Sequence, residues 1–468
     1  MVCKKCKLLT FSVILLLTLI TIAANASTLS TNNIVKKINK INVENSGVKV
    51  YNDGCCEGYN LLSAIEFMGF SNGRFAGSLL IDMNGNLIKK WNNTNPMPAK
   101  MLPDGSIISG YGGIVEWDTY NLTQFSWNGT IKWDFSNWRA DDKGKPAARH
   151  HHDFQREGNP VGYYVPDCDF VENGKTLILA HDTIINHNVS KKTITDDVIY
   201  EVNWNGSLTG FEWYASDHID EMGFNLLQRI GIYINPAGPS KPLGCLDGDW
   251  LHTNSISYLG ENKWYDQGDK RFHPDNIITC SRNTNIIYII SKETGEIVYR
   301  IGPSFSRKTE EGKKLGQIIG PHNAHIIPKS LPGEGNILVF DNGGIAGYGL
   351  FGGPSKFRFY SRVIEFDPIS LEIKWEYAHK KGFYPLPRTG EFHRFFSPVH
   401  SSMQRLPNGN TLITEGFTGR VFEVNKDNEI LWEYISESLD IDIYRAYRIP
   451  PEWVPENPGN YDVWTYNN

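Results

Sequence analysis

Short apolar runs separated by Asn-, Gly- and Pro-containing turns fill most of the chain. This is the pattern of antiparallel strands joined by tight turns. The clearest set lies near the end. Residues 401–406 lead into the turn Pro407-Asn408-Gly409-Asn410, then residues 411–415, a glycine-containing turn, residues 420–424, the turn 425–428 and residues 429–434. That is four predicted strands in succession. The closing hairpin, VFEVNKDNEILWEY (421–434), has earlier copies in LLIDMNGNLIKKW (79–91), FSWNGTIKWDF (125–135), IYEVNWNGSLTGFEW (199–213), IYIISKETGEIVYRIG (287–302) and VIEFDPISLEIKWEY (363–377). Each ends in an aromatic-rich strand. The turn and strand that open a set recur too, in MLPDGSIISG, FVENGKTLILA, IIPKSLPGEGNILVF and RLPNGNTLI.

Six four-stranded sets, with the irregular spacing confined to loops, predict an all-β chain folded as a six-bladed β-propeller over residues 79–440. A β-sandwich has similar turn spacing, but it does not repeat one hairpin six times. Residues 27–78 read as a short N-terminal β extension, or as a segment that closes the ring. Residues 441–468 read as a tail able to pair with the first blade.

Lys4, Lys5 and Lys7 precede an apolar run from Leu8 to Ala24, and Ala24-Asn25-Ala26 offers small residues for cleavage. Residues 1–26 therefore read as a signal peptide; the alternative is an uncleaved membrane anchor. Both put the remainder outside the cytoplasm: secreted, periplasmic or at the cell surface. Net charge is −6, and the leader holds three lysines and no acid, so the mature chain is more acidic still. With no run of Lys or Arg, nucleic acid is not an expected partner. Cys55, Cys56, Cys168, Cys245 and Cys280 follow the leader; the number is odd and the spacing fits no zinc motif. Asn92, Asn121, Asn128, Asn188 and Asn205 open N-x-S/T sequons, which mark surface loops if the host glycosylates.

In a propeller the start of each blade's first strand and the end of its second open on the same mouth. His252, ahead of SISYL, and His322, ahead of AHIIP, hold equivalent starts. Arg282, Asp341-Asn342, Glu415 and His181-Asp182 hold second-strand ends. His152, in HHHDF, lies outside this register; it is chosen over His150 and His151 because Asp153 beside it would fix its tautomer. His151 and His325 are secondary candidates, and His393 and His400 weaker ones. Gly343 to Gly353 reads as a mobile lid, with Trp250, Tyr348 and Phe351 as an aromatic wall. G-x-S-x-G, HExxH and phosphate-loop motifs are absent. Several histidines with an Arg and an Asn suit metal binding or transfer of an anionic group.

DWLHTNSI followed by a strand ending in SR, GPHNAHI followed by ILVFDNGG, and LPNGNTLITEG with VFEV resemble the arylsulfate sulfotransferases. The likeness runs from about residue 75 to 435. It implies an exported six-bladed propeller that moves a sulfuryl group from an aryl sulfate ester to a phenolic acceptor, without a nucleotide donor, cofactor or metal. By this resemblance His322 takes the sulfuryl group, Arg282, His252 and Asn254 hold its oxygens, and His252 or His152 moves the phenolic proton. His151 and His325 would add substrate contacts. The chain departs from the family in the insertion ENKWYDQGDKRFHPDN between His252 and Arg282, and in Pro321 where the family has Gln. The region HHHDFQREGNPVGYY suggests a divergent branch. Two other readings stand beside this one: a metal-dependent lyase or hydrolase using the same histidines, and a non-catalytic ligand-binding propeller.

Overall fold

The computed structural model describes residues 47–464 except 67–74, 116–117, 142, 160, 167–169, 242–246, 380–383, 386–391, 394 and 437–440. The leader, Cys168, Cys245 and the His393 side chain lie outside what is described. The unit Gly47–Asn468 is all-β with few helices. None of its described helices is long and apolar enough to cross a membrane.

Its antiparallel sheets follow one another along the chain in a propeller-like arrangement. The first runs Ile441–Ile449, Tyr59–Glu66, Phe75–Ile81, Leu87–Trp91. An eight-stranded sheet follows. One half is Asn95–Met101, Ile107–Val115, Asp118–Phe125 and Ile131–Phe135; the other is His150–Arg156, Thr176–Ile184, Ile194–Val202 and Leu208–Tyr214. The halves meet at the pairing of His150 with Thr119. Next come Thr253–Tyr258, Ile277–Ser281, Ile286–Ile290, Ile297–Ile301, and then Pro321–Ile326, Ile337–Asp341, Arg362–Phe366, Ile373–Tyr377. The last is Ser402–Arg405, Thr411–Glu415, Arg420–Val424, Ile430–Ile435, with Val48–Tyr51 added at its outer edge. Thus Tyr59–Glu66 sits between the chain's last strand and Phe75–Ile81, with Leu61 opposite Tyr447.

Burial explains why the sequence repeat shows best in the final hairpin. Every residue of Ile277–Ser281 and Ile286–Ile290 is buried, so those strands are apolar runs without alternation. Outer strands such as Ile297–Ile301 are half-buried and alternate. Their aromatic residues have a shared task. Trp91, Trp133 and Trp213 are buried, and each indole N–H donates to a carbonyl in the closing hairpin of the following set: Ser126, Trp204 and Gly295. The Tyr299 hydroxyl does the same to Pro368. Trp432, fully buried, donates to Met83 at 2.8 Å and so joins the last set to the first.

The glycine-rich segment is a hairpin and not an open lid. Gly344–Tyr348 pairs with Pro354–Arg358, and the buried Tyr348 hydroxyl lies between the Trp250 and Pro236 carbonyls, its one proton shared between these two acceptors. Trp250 is a core residue whose N–H donates to Asp196, and Phe351 is exposed. The three rings form no common wall: Trp250 and Tyr348 share one buried core cluster, and Phe351 stands apart in solvent.

Replacing Trp432 by Ala should lower unfolding free energy by about 3–5 kcal/mol, the usual cost of truncating a large buried aromatic. Denaturant titration of wild type and variant checks this; a change under about 1 kcal/mol, within the range of ordinary surface substitutions, would show that the ring closes without it.

Candidate functional site

Residues that enter the first strands share an unusual backbone. His152, His252 and His400 have φ of 55°, 55° and 56°, and Asn323, just after His322, has 52°. Non-glycine residues seldom adopt this left-handed region. The pairings shift register between His150 and Phe154, Thr253 and Ser255, and His322 and His325. Such β-bulges re-aim a side chain out of the pleat. Here they turn histidines from separate sheets toward one another.

The cluster forms as follows. The His152 and His252 rings meet edge-on, with centroids 4.7 Å apart. His252 Nδ1 is paired with the Asp249 carboxylate. Burial pushes the Asp249 carboxyl up, but His252, with His181 and His151 behind it, brings it down to about 2. His322 and His400 belong to the same group, since Arg282 and His252 act electrostatically on both. Tyr444 completes it, donating to the His152 carbonyl and packing its ring 5.6 Å from His400.

The tautomer of His322 follows from its neighbour. Asn342 Nδ2 donates to the carbonyls of Ser397 and His400 at 2.7 and 2.8 Å. Its Oδ1 therefore faces His322 Nδ1, 2.8 Å away. The Gly320 carbonyl is 3.1 Å from the same nitrogen. Two acceptors at Nδ1 require a proton there, which leaves the Nε2 lone pair free. Burial first, and then the Arg282 guanidinium, hold the His322 pKa well below the ordinary value, so the ring is neutral. A buried neutral imidazole with a bare Nε2 beside a guanidinium can attack an electrophile that Arg282 helps to hold.

Other expected residues fall elsewhere. Asn254 is fully buried: Nδ2 donates to the Pro321 carbonyl and Oδ1 accepts from Asn323 N–H, so it staples two first strands together beside His322. Arg282 is buried, with bonds to Asn283 and to the Ile345 and Pro398 carbonyls. The structure does not bring His325 to the cluster. Its ring nitrogens are paired with the Tyr163 hydroxyl and the Asn323 carbonyl, both at 2.9 Å. Asp153 does not orient His152 either. It pairs with Lys100 and Arg445 at 2.8 and 3.0 Å, drawn to the opposite side of its bulged strand. His152 instead shares an Nδ1–Nδ1 hydrogen bond of 2.8 Å with His151, which lies behind it. Asn342 and His400 were legible only as members of the mouth, and Tyr444 left no sequence signal, because its place depends on the returning C-terminal strand. A cavity of about 310 Å³ bordered by Gln317, Arg358, Tyr360 and Arg362 lies apart from the cluster; its two arginines pair with Asp341.

Burial lowers the pKa of His150 to about 3, of His325 and His400 to about 4, and of His151, His152 and His322 well below the ordinary value. His181 opposes them: burial works against its charge, but Asp118, Asp197 and Asp249 raise it to about 9. Below the ordinary histidine pKa the unfolded chain takes up protons that the six depressed histidines refuse. The contribution of these six is therefore full above about pH 7 and lost on acidification, at about 1.4 kcal/mol per pH unit for each, whereas that of His181 has the opposite sign and is lost as pH rises toward about 9. Denaturant melts across this range check the sign; stability that is flat or rises from pH 7 to pH 5 would contradict it.

The family model for Arylsulfotransferase (ASST) matches residues 71–447. No curated protein shows a significant match. Among solved structures, a protein of unknown function from Bacteroides caccae is 11% identical, covering 84% of this chain and 99% of that one, with TM-score 0.43. Selenomethionine-substituted virginiamycin B lyase from Staphylococcus aureus is 10% identical over 85% and 87%, with TM-score 0.33. The Cps50 (Swd1) β-propeller domain of Myceliophteria thermophila is 10% identical over 77% and 80%, with TM-score 0.34.

Proposed function

The chain belongs to the arylsulfotransferase family, and from that premise we propose that it is an exported, six-bladed enzyme passing a sulfuryl group between phenols through a sulfohistidine at His322. The blade count takes the eight-stranded sheet as two blades, divided at the pairing of His150 with Thr119. Export rests on residues 1–26. The substrates are a small aryl sulfate ester as donor and a phenol as acceptor.

In the first half-reaction His322 Nε2 attacks sulfur opposite the phenolic oxygen. The S–N bond forms as the S–O bond breaks, and the electron pair leaves with the phenoxide. His252 is the group that protonates it, from Nε2, with Asp249 holding the opposite ring nitrogen and stabilising the positive charge while it exists. Arg282 and His152 take the non-bridging oxygens, where negative charge is concentrated. In the second half-reaction His252 removes the acceptor's proton, the acceptor oxygen attacks sulfur, and the S–N bond breaks to return neutral His322. Asn254 acts through position, by tying the two strands that carry His252 and His322. His325 has no part in this scheme.

The observation that carries the reading is the Asn342 amide, whose two carbonyl partners oblige His322 to expose an unprotonated Nε2. Steady-state assays with a chromogenic aryl sulfate and a phenol should give parallel double-reciprocal lines. His322→Ala should abolish turnover, and Arg282→Ala should lower kcat/KM roughly 10²–10³-fold, as for loss of one donor to developing oxygen charge. Asn342→Leu should lower kcat while leaving the fold intact. A near-normal rate in His322→Ala, or intersecting lines, would overturn the scheme.

A further inference from the structure

Directly behind His152 lies a second group that sulfuryl transfer does not use. His151 Nε2 is 3.3 Å and His181 Nε2 3.5 Å from Asp197 Oδ1. All three atoms are buried and none has a hydrogen-bond partner. Buried polar atoms are rarely left unpaired, and three that face one another are rarer still. The partner atom of each side chain is held. His181 Nδ1 donates to Asp118 Oδ1 at 2.7 Å, His151 Nδ1 is bonded to His152, and Asp197 Oδ2 accepts from Thr253 N–H. Among the described residues no lysine or arginine forms an ion pair with Asp197.

We propose that His151 Nε2, His181 Nε2 and Asp197 Oδ1 bind a divalent transition-metal ion, with zinc the best match to two imidazoles and a carboxylate. Ligands about 2.0–2.1 Å from a tetrahedral ion stand about 3.4 Å apart, close to the two spacings seen. The Asp118 carboxylate on the far nitrogen of His181 is the usual outer support of a metal-bound histidine. The two rings are stacked, with centroids 3.4 Å apart and planes 7° from parallel, so their lone pairs run side by side, and binding must tilt one ring toward the ion. The ion takes the place of any proton on the two Nε2 atoms and releases it.

One consequence reaches the cluster. With Nε2 on the metal, His151 keeps its proton on Nδ1 and donates to His152 Nδ1. His152 then carries its own proton on Nε2, as a donor to a sulfate oxygen needs. This consequence rests on the sulfuryl-transfer reading; the metal site does not.

The test uses the full protein, freed of metal with a chelator and titrated with Co²⁺ as a visible reporter, beside elemental analysis of the protein as purified and after Zn²⁺ addition. The expected result is one ion per chain and the intense visible bands of low-symmetry Co²⁺, displaced by Zn²⁺. Asp197→Ala and His181→Ala should lose the bands, Asp118→Asn should bind roughly 10–100-fold more weakly, and the exposed His187→Ala should behave as wild type. If the two ligand variants fail to fold, the wild-type spectrum and Asp118→Asn decide. A folded wild-type protein that binds no Co²⁺ or Zn²⁺, or ligand or support variants that bind as wild type does, would overturn the proposal. Transfer activity is not the readout, so either proposal can fail alone.

Discussion

Closure between the two ends of the chain is the constraint on which everything at the centre depends. The strand Ile441–Ile449 lies beside Tyr59–Glu66, and Trp432 donates to Met83 across the same junction. That junction adds to the links between neighbouring sheets, such as Asn254 to Pro321 and Trp213 to Gly295, the one that joins the last sheet to the first. Pairing Ile441–Ile449 with Tyr59–Glu66 completes the first sheet with a strand from far along the chain, leaving the outer strands as short edges. The same closing strand supplies Tyr444 to the histidine cluster and Arg445 to the Asp153 network. Architecture and site therefore share a component.

Within that enclosure, the ruling energetic fact is that the imidazoles of His152, His322 and His400 are buried and held neutral. A charged ring without water costs several kcal/mol, and the guanidinium of Arg282 adds repulsion for His322 and His400. Neutrality is also what a nucleophile at nitrogen requires. The stabilising solution and the reactive one coincide, and Asn342 then selects which nitrogen is bare. Asp249 gives His252 a different neighbour, a carboxylate at Nδ1, on which the proposed scheme relies. Two histidines a short distance apart thus have opposite electrostatic neighbours.

Repeat register made His252, His322 and Arg282 legible, because equivalent positions in successive sheets must converge. Asn254 was legible as a neighbour but not in its use, since its amide is spent on Pro321 and Asn323. The bulges defeated local reasoning. Asp153 follows His152 directly, yet the shifted strand sends it to Lys100 and Arg445, residues that no spacing rule connects to it. His325 looked like a companion of His322 for the same reason and sits instead against Tyr163. The meeting of His151, His181 and Asp197 was legible only in part: both histidines were candidates, but Asp197 enters because the register of neighbouring strands in one sheet sets it opposite His181. Patterning of hydrophobic positions speaks to sheets; the contacts of buried polar atoms belong to tertiary structure.

The covalent role of His322 is the centre of the account, and a single turnover tests it most directly. Enzyme mixed with excess aryl sulfate and no acceptor, then quenched rapidly under alkaline conditions, should release one equivalent of phenol per active site. The peptide containing His322 should carry one sulfuryl group, discharged when a phenol is added before the quench. Absence of a burst together with an unmodified His322, in protein that turns over normally once acceptor is present, would mean that the sulfuryl group passes directly from donor to acceptor.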